Sequence, residues 1–348
     1  MAYTTINKST DYFETKLYTG NGSTQSITGL DFQPDFVWIK ERTDGSSHAL
    51  TDAVRGNTKY LATNGNDVED TITDRVTSFN SDGFSLGGNV AVNQNTILNL
   101  AHNWKAGGSG SANTDGSINS TVSVNNTAGF SIVTWTGNGT SGSTVGHGLS
   151  KKPDMYITKA RDYAYSWGVY HKEIDDDKGL LLDTSDSVLT GTGFRNSTAP
   201  TNSLIYLGGG SQAYRYTANK SGNTYVAYCF NNIDGYQRAG KYVGNGSTDG
   251  AFIYTGFKPA LVMIKRIDGA NNWLMFDNKR NEFNALDKLL YANLSSSEAT
   301  QENLDFTSSG FKCRGSGAKI NTSGGSYIFL AFAESPFVNS NGVPTNAR

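Results

Sequence analysis

The sequence predicts an all-β fold of three tandem antiparallel β-sandwich domains of jelly-roll kind. One observation is composition: among 348 residues there are 40 Gly, 18 Tyr and 17 Phe, and only 17% are charged. Aromatic and β-branched side chains suit a half-buried pleated surface, and Gly and Asn suit turns that need positive φ. A second is repetition. The stretch YTGNGSTQSITGLDFQPDFVWIK, ending at Lys40, returns as WTGNGTSGSTVGHGLSKKPDMYITK, ending at Lys159, and as YVGNGSTDGAFIYTGFKPALVMIK, ending at Lys265. A third is that each copy finishes on an almost wholly apolar run, NTILNLA, NTYVAYCF or SYIFLAFA, too short to span a bilayer and the right length for a strand.

Pro34, Pro153 and Pro259 are each followed six residues later by Lys40, Lys159 and Lys265, and eight residues further on by His48, Trp167 and Trp273. The first Gly of each GNG (Gly20, Gly137, Gly244) precedes its Pro by 14, 16 and 15 residues. A period above 100 residues is far beyond solenoid lengths, so each unit is domain-sized. FVWIK, MYITK and LVMIK read as strands, each turning through ERTDGSS, ARDYAYS or RIDGANN into HALTD, WGVYH or WLMFD, a hairpin in every copy. The closing runs are apolar on both faces, as for a strand covered twice. GGSGSANTDGSINS (residues 107–120) has the composition of a flexible tether. Boundaries follow: residues 1–107 for repeat 1, 108–236 for the tether with repeat 2, and 237–348 for repeat 3. Units of this size can each hold their own core, which disfavours a closed three-bladed ring.

A formal net charge of -2 without charge runs argues against nucleic acid or an anionic membrane surface as partner. Cys229 and Cys313 lie in different repeats and are expected to be free buried thiols. No basic and apolar leader opens the sequence, and a cytoplasmic site of synthesis is expected. No phosphate-cradling loop, HExxH or metal-spaced Cys/His set occurs, so no cofactor and no metal is expected, and the chain reads as a non-enzyme. His48 stands where the other copies have Trp and reads as an altered packing position; His147 in GHGL reads as turn chemistry. Two acidic clusters, Asp67/Glu69/Asp70 and Glu173/Asp175/Asp176/Asp177, lack the paired arrangement of a glycosidase and read as solvated loops, with a Ca²⁺ pair at Asp175 and Asp177 as the lesser reading.

Trp167 and Trp273 share one position in the repeat, which assigns them to a core or hinge. Repeat 2 differs from its siblings in a tyrosine-bearing turn and an insertion, residues 198–222. Tyr163, Tyr165, Tyr206, Tyr214 and Tyr216 are therefore the candidate carbohydrate-binding residues, a neighbouring chain being the other surface they could meet.

The combination of TGNGS with P-x5-K, NNWLMFDNKRNEFN, SYIFLAFAESPF and the segment NWKAGGSGSANTDGSINSTVS resembles a repeated module of tailed-bacteriophage virion proteins, of marine and cyanobacterial phages in particular. The resemblance runs from about Asp11 to Phe337. It implies a virion structural protein exposed on the particle, a tail fibre or other appendage, assembled in the host cytoplasm with other virion proteins. It also implies a homo-oligomer, with a trimer favoured, and adhesion to host surface polysaccharide. A capsid-decorating or head-fibre protein with a purely structural role is the alternative, and a polysaccharide depolymerase the third reading. No catalytic residues carry over.

Overall fold

Pro34 and Pro153 each lead into a strand at the middle of a sheet, and Pro259 sits near the start of one. In the computed structural model, which describes residues 3–345, these strands are Phe36–Glu41, Met155–Ala160 and Phe257–Arg266. Each is sandwiched between its hairpin partner and the closing strand of the same repeat: Leu98–Trp104, Thr224–Phe230 or Ser326–Pro336. The register is the same in all three, pairing Phe36 with Trp104, Met155 with Phe230 and Leu261 with Phe332. The fold is thus predominantly β, in several antiparallel sheets. Repeat 1 has a six-stranded sheet backed by three shorter strands. Repeat 2 has an eight-stranded sheet with a two-stranded ladder. In repeat 3 eight strands run from Gln237–Val243 round to Phe252–Tyr254 and nearly close a barrel.

Alternation along these strands gives each sheet two buried faces. The outward face of repeat 1, with Val37, Ile39 and Ala101, packs on Ile27, Phe84 and Leu86. That of repeat 2, with Tyr156, Ala227 and Cys229, packs on Val145 and Ile205. The inward faces meet one another. Phe36, Trp38 and Trp104 of repeat 1, Ile157, Tyr228 and Phe230 of repeat 2, and Leu261, Met263 and Phe332 of repeat 3 form one continuous cluster. Rings stack directly across repeats, Phe36 on Tyr228 at 4.3 Å and Phe13 on Phe332 at 4.9 Å. At the centre lies an apolar cavity of only about 20 Å³, whose lining offers a water no hydrogen-bond partner. The expectation of three separate cores is corrected here. A unit of this size could close alone, but its doubly apolar strands leave one face that only the other repeats can cover. Each large side chain in that face contributes about 2–3 kcal/mol of burial.

The three repeats close into a ring through one junction used three times. Trp167 of repeat 2 donates its indole N–H to Ala62 O of repeat 1 at 3.0 Å, and Trp273 of repeat 3 donates to Leu181 O of repeat 2 at 3.0 Å. His48 of repeat 1 completes the circuit, its Nε2 bonding Tyr291 O of repeat 3 at 2.9 Å and Leu294 O at 3.1 Å. A backbone bond repeats the same order: Glu69 N to Arg161 O, Val188 N to Ile267 O and Glu298 N to Arg42 O. His48 is smaller than Trp, and the space is taken by Trp38, whose counterparts are Ile157 and Met263. Trp38 Nε1 donates to His48 Nδ1 at 2.8 Å.

The GNG motif is a loop clamped by a buried asparagine. Asn93, Asn219 and Asn321 are wholly buried and each stands five residues before its closing strand. Each accepts from the loop, Asn21 N at 2.9 Å, Asn138 N at 3.0 Å and Asn245 N at 2.9 Å. Each amide then donates to two carbonyls, Ser23 and Gly87 in repeat 1, Thr140 and Gly208 in repeat 2, Ser247 and Gly315 in repeat 3. The first Gly is required because a Cβ there would come within 2.1, 2.6 or 2.3 Å of the carbonyl oxygen of Gln94, Lys220 or Thr322. The second, Gly22, Gly139 or Gly246, has φ of 70°, 74° or 70°.

Residues 107–120 are also corrected. They are not a tether: Ser111–Asn113 pairs with Ser120–Asn125, Gly107 N donates to Ser123 Oγ at 2.8 Å, and Ile118 is buried against Val145 in the repeat 2 core. Small residues are needed because this edge lies close to its neighbours, as at Gly116, where a Cβ would meet Thr144 O at 2.5 Å.

A shared core and a closed ring predict one calorimetric unfolding transition for the whole chain. Asn219→Ala, which strands two loop N–H groups and two carbonyls, should lower the stability of all three repeats together by about 3 kcal/mol; independent repeats would instead show a single shifted component. His48→Trp alone should destabilise by overpacking and by orphaning the Trp38 N–H. The double variant Trp38→Met/His48→Trp recreates the pair found in repeat 3, and a double-mutant cycle in denaturant should return a favourable coupling of about 2 kcal/mol.

Candidate functional site

The turn from strand Met155–Ala160 into Gly168–His171 carries Tyr163 and Tyr165, and the repeat 2 insertion ends in a short 3₁₀ turn, Arg215–Thr217. The fold brings these together at the surface. Tyr163 and Tyr165 lie nearly parallel, centroids 6.1 Å apart, and Tyr216 meets both edge-on at 5.9 and 5.7 Å. Lys220 places its ammonium 3.2 Å from the centre of the Tyr163 ring. Arg215 lies 4.2 Å over Tyr216, donating to the Tyr216 hydroxyl at 2.9 Å and to Gln212 O at 2.7 Å. All three tyrosines are half-buried, and burial raises the Tyr165 hydroxyl above its ordinary value. A half-buried aromatic group with two cations on its ring faces offers apolar edges and hydroxyls beside positive charge.

The remaining two candidates stand apart. Tyr214 stacks on Phe194 at 4.6 Å, in a left-handed conformation with φ of 62°, and its ring lies where Gly191 leaves room. Tyr206 pairs with Thr144 in the two-stranded ladder. Sequence reading did not single out Lys220 or Arg215. The available signal was their place within the same insertion as the tyrosines, since a cation within one to four residues of an aromatic in a short turn has few other surfaces to cover.

Three of the seven acids in the two clusters, Glu69, Asp175 and Asp176, pair with cations of the protein itself. Glu69 is not a solvated loop acid, which corrects that expectation: it is 8% exposed and joins Arg55 at 3.0 Å and Arg161 at 2.8 Å. Arg161 and Glu69 come from repeats 2 and 1 and form a bidentate pair. Repeat 1 meets repeat 3 the same way through Arg42 and Glu298, which also reaches Arg280. Repeats 2 and 3 meet at the equivalent place through apolar Val188 and Ile267, with Ile174 where Arg55 and Arg280 stand. Asp175 is held by Lys178 at 2.5 Å and Asp176 by Arg195 at 3.4 Å, so that loop's carboxylates are turned to lysine and arginine instead of converging on a cation. Among the described residues no group of three or more His, Cys, Asp and Glu is gathered as a metal would require. Cys229 and Cys313 are buried thiols outside any disulfide, in separate cores.

Three buried titratable sets serve the ring. Lys40, Lys159 and Lys265 each bond carbonyl oxygens, Lys159 reaching Asn66 of repeat 1 and Lys265 reaching Ser185 of repeat 2. Burial pulls all three down to about 8. Asp52 and Asp277 each hold an arginine at 2.5 Å, and Asp52 also accepts from Tyr228 of repeat 2 at 2.8 Å. His48, His102 and His171 are pulled down by burial, to about 3, 4 and 4. His147 bonds Thr201 O and its own turn at Leu149 N, as its GHGL context suggested.

The model of a family described as a domain of unknown function, DUF7483, matches residues 8–336, and the chain belongs to that family. No curated protein matches it.

The histidines set an acid limit. Unfolded histidine takes up a proton below about 6.5, whereas these three stay neutral in the fold until pH 3–4. The unfolded state therefore binds more protons throughout that window, and stability present above pH 6.5 is lost as the pH falls. The expected slope is about 1.4 kcal/mol per pH unit for each such histidine. Denaturant titrations at pH 7, 6 and 5 should show it, and His48→Gln should make the slope shallower by about one proton whatever it does to stability at pH 7.

Proposed function

We propose that this chain is a non-enzymatic structural protein displayed on a virion, a tail fibre or other appendage, and that it adheres to host surface glycans. The observation that carries this reading is the division of labour between repeats. Side chains common to the three copies close the scaffold, while the segment peculiar to repeat 2 sets Tyr163, Tyr165 and Tyr216 with Lys220 and Arg215 at the surface. Tyrosine edges and hydroxyls beside cations suit sugar rings bearing hydroxyl and acidic groups. The pairing of Glu69, Asp175 and Asp176 with basic side chains supports adhesion over hydrolysis, since a glycosidase needs two carboxyl groups free to face one bond.

In the same reading the repeats are copies of one jelly-roll-like sandwich, and the chain assembles with other virion proteins, as a trimer, on the particle surface. A capsid-decorating role is the alternative. It draws on Phe283, 81% exposed, and Val90, 65% exposed, apolar side chains that a neighbouring chain would cover.

The test is a glycan array probed with the intact protein, with wild type compared against Tyr165→Ala/Tyr216→Ala. Adhesion through repeat 2 predicts retention on host polysaccharide that falls at least tenfold in the variant, with the melting temperature unchanged. Absence of retention by wild type, with the chain located inside the capsid lattice of whole particles, would establish the decorating role instead.

A further inference from the structure

The nearly closed sheet of repeat 3 has a seam. Its two edge strands, Gln237–Val243 and Phe252–Tyr254, are not paired with each other. A groove of about 280 Å³ follows the gap, floored by Gly240, Tyr242 and Phe329 and flanked on the repeat 2 side by Lys172 and Glu173. The floor is shaped by glycine: a Cβ on Gly240 would lie 2.7 Å from the Phe329 ring, so any larger residue would displace that ring.

Two properties of the groove point to a ligand. The first is exposed aromatic surface. Phe252 and Tyr254 are each 51% exposed. As residues i and i+2 of one strand they stand on one face about 7 Å apart, close enough for both rings to meet one short saccharide segment. Tyr254 is held from behind by Tyr3, hydroxyl to hydroxyl at 3.2 Å, while Tyr3 itself donates to Gly256 O at 2.8 Å. A ring fixed in this way loses little freedom on binding. The second is charge. Arg238, Lys241 and Lys172 reach the groove against the single carboxylate of Glu173. Lys172 is paired with Asp154 at 3.0 Å. Arg238 and Lys241 have no ion-pair partner among the described residues; Arg238 lies 5.8 Å from the Tyr254 ring. The cations shared by the ring junctions are matched by carboxylates or carbonyls, whereas Arg238 and Lys241 stand outside the junctions, beside two exposed rings.

We propose that this seam is a binding site for an acidic saccharide, a uronate-bearing segment of polysaccharide. Its rings lie on Phe252 and Tyr254, and its carboxylate is taken by Arg238, whose planar fork matches carboxylate geometry, with Lys241 as a further cation of the groove lining. Flat exposed rings favour a sugar over an extended acidic peptide. The outer edge of Gln237–Val243 is also partly closed already, because Asn232 bonds both Ala239 N and Ala239 O. The proposal deepens the adhesion reading and places a second, chemically narrower site on a different repeat.

The test is isothermal titration of the intact protein with an oligogalacturonate, a neutral malto-oligosaccharide of equal length, and a short poly-glutamate. Oligogalacturonate binding should weaken as salt is raised. It should fall at least tenfold in Arg238→Gln/Lys241→Gln and in Phe252→Ala/Tyr254→Ala, and be untouched in Tyr165→Ala/Tyr216→Ala. Circular dichroism and melting of each variant check that the fold is retained. Binding of the neutral sugar alone would overturn the acidic class while leaving adhesion standing. Binding of poly-glutamate as tightly as the uronate would overturn the saccharide in favour of a general polyanion or peptide groove. No binding of any probe, or uronate binding that survives the Arg238/Lys241 variant, would overturn the site itself, and the tyrosine variants on host polysaccharide then report separately on repeat 2.

Discussion

The closure of this fold depends on the hydrogen bond that one repeat sends to a backbone carbonyl of its neighbour in the ring. Trp167, Trp273 and His48 each bury a large ring and aim a single N–H at a carbonyl of the neighbouring repeat. A buried carbonyl left without a donor costs about 1–3 kcal/mol, more than the roughly 1 kcal/mol that the made bond contributes, so the junction is exacting about geometry in a way that apolar packing is not. Three equal junctions also fix a number. Two repeats would leave one ring and one loop unmatched, and a fourth would not fit around a centre already filled to within about 20 Å³. The final link joins His48 to residues more than 240 positions away. The ring is therefore completed only when both ends of the chain are in place.

Around that constraint the junctions vary in chemistry while keeping their shape. Two carry a charged set, Asp52, Arg55, Glu69 and Arg161, or Asp277, Arg280, Glu298 and Arg42. The third replaces all of it with Ile174, Val188, Ile267 and a histidine, His171, which bonds Phe329 O. That such a substitution is tolerated follows from the energetics of buried ions. The attraction within the set roughly offsets the loss of hydration, so an apolar set of similar volume is a fair exchange, whereas removing one member would leave a charge stranded. The charged versions add direction: a bidentate Arg–Glu pair accepts one register, and an arginine from the wrong repeat would not find its carboxylate.

Much of this was legible in the sequence, and the boundary of legibility has a physical cause. The strands around Lys40, Lys159 and Lys265 and the buried tryptophans could be read because they depend on local alternation and on spacing that three copies confirm. Asn93, Asn219 and Asn321 were within reach, each five residues before a closing strand, but asparagine is common in turns and its buried form looks the same in sequence. The ring was not legible. Doubly apolar closing strands signal that a second face is covered without saying by what, and a repeat's own core, a neighbour and another chain all satisfy that signal. Residues 107–120 misled for the opposite reason: small polar residues suit a flexible tether and also suit an edge strand hemmed in by backbone, as Gly116 is by Thr144. Of the five tyrosines, those on the hairpin turn and the 3₁₀ turn converge, whereas Tyr206 lies on a separate ladder. Nothing in their spacing distinguishes the two cases.

A closed ring also restricts where new chemistry can arise. A change at a shared position must satisfy two repeats at once, so the junctions can exchange whole sets, as repeat 2 does, but cannot drift one residue at a time. Positions outside the junctions face no such coupling. The repeat 2 insertion lengthens a loop on the far side of its sheet, and a longer surface loop adds little closure cost. The seam of repeat 3 is where the barrel ends meet, and leaving them unpaired disturbs none of the three junctions. Both places collect aromatic rings beside cations, in the insertion around Tyr163 and Lys220 and in the seam around Tyr254 and Arg238. A scaffold that holds its shape without help from these surfaces leaves them free to change with whatever they meet.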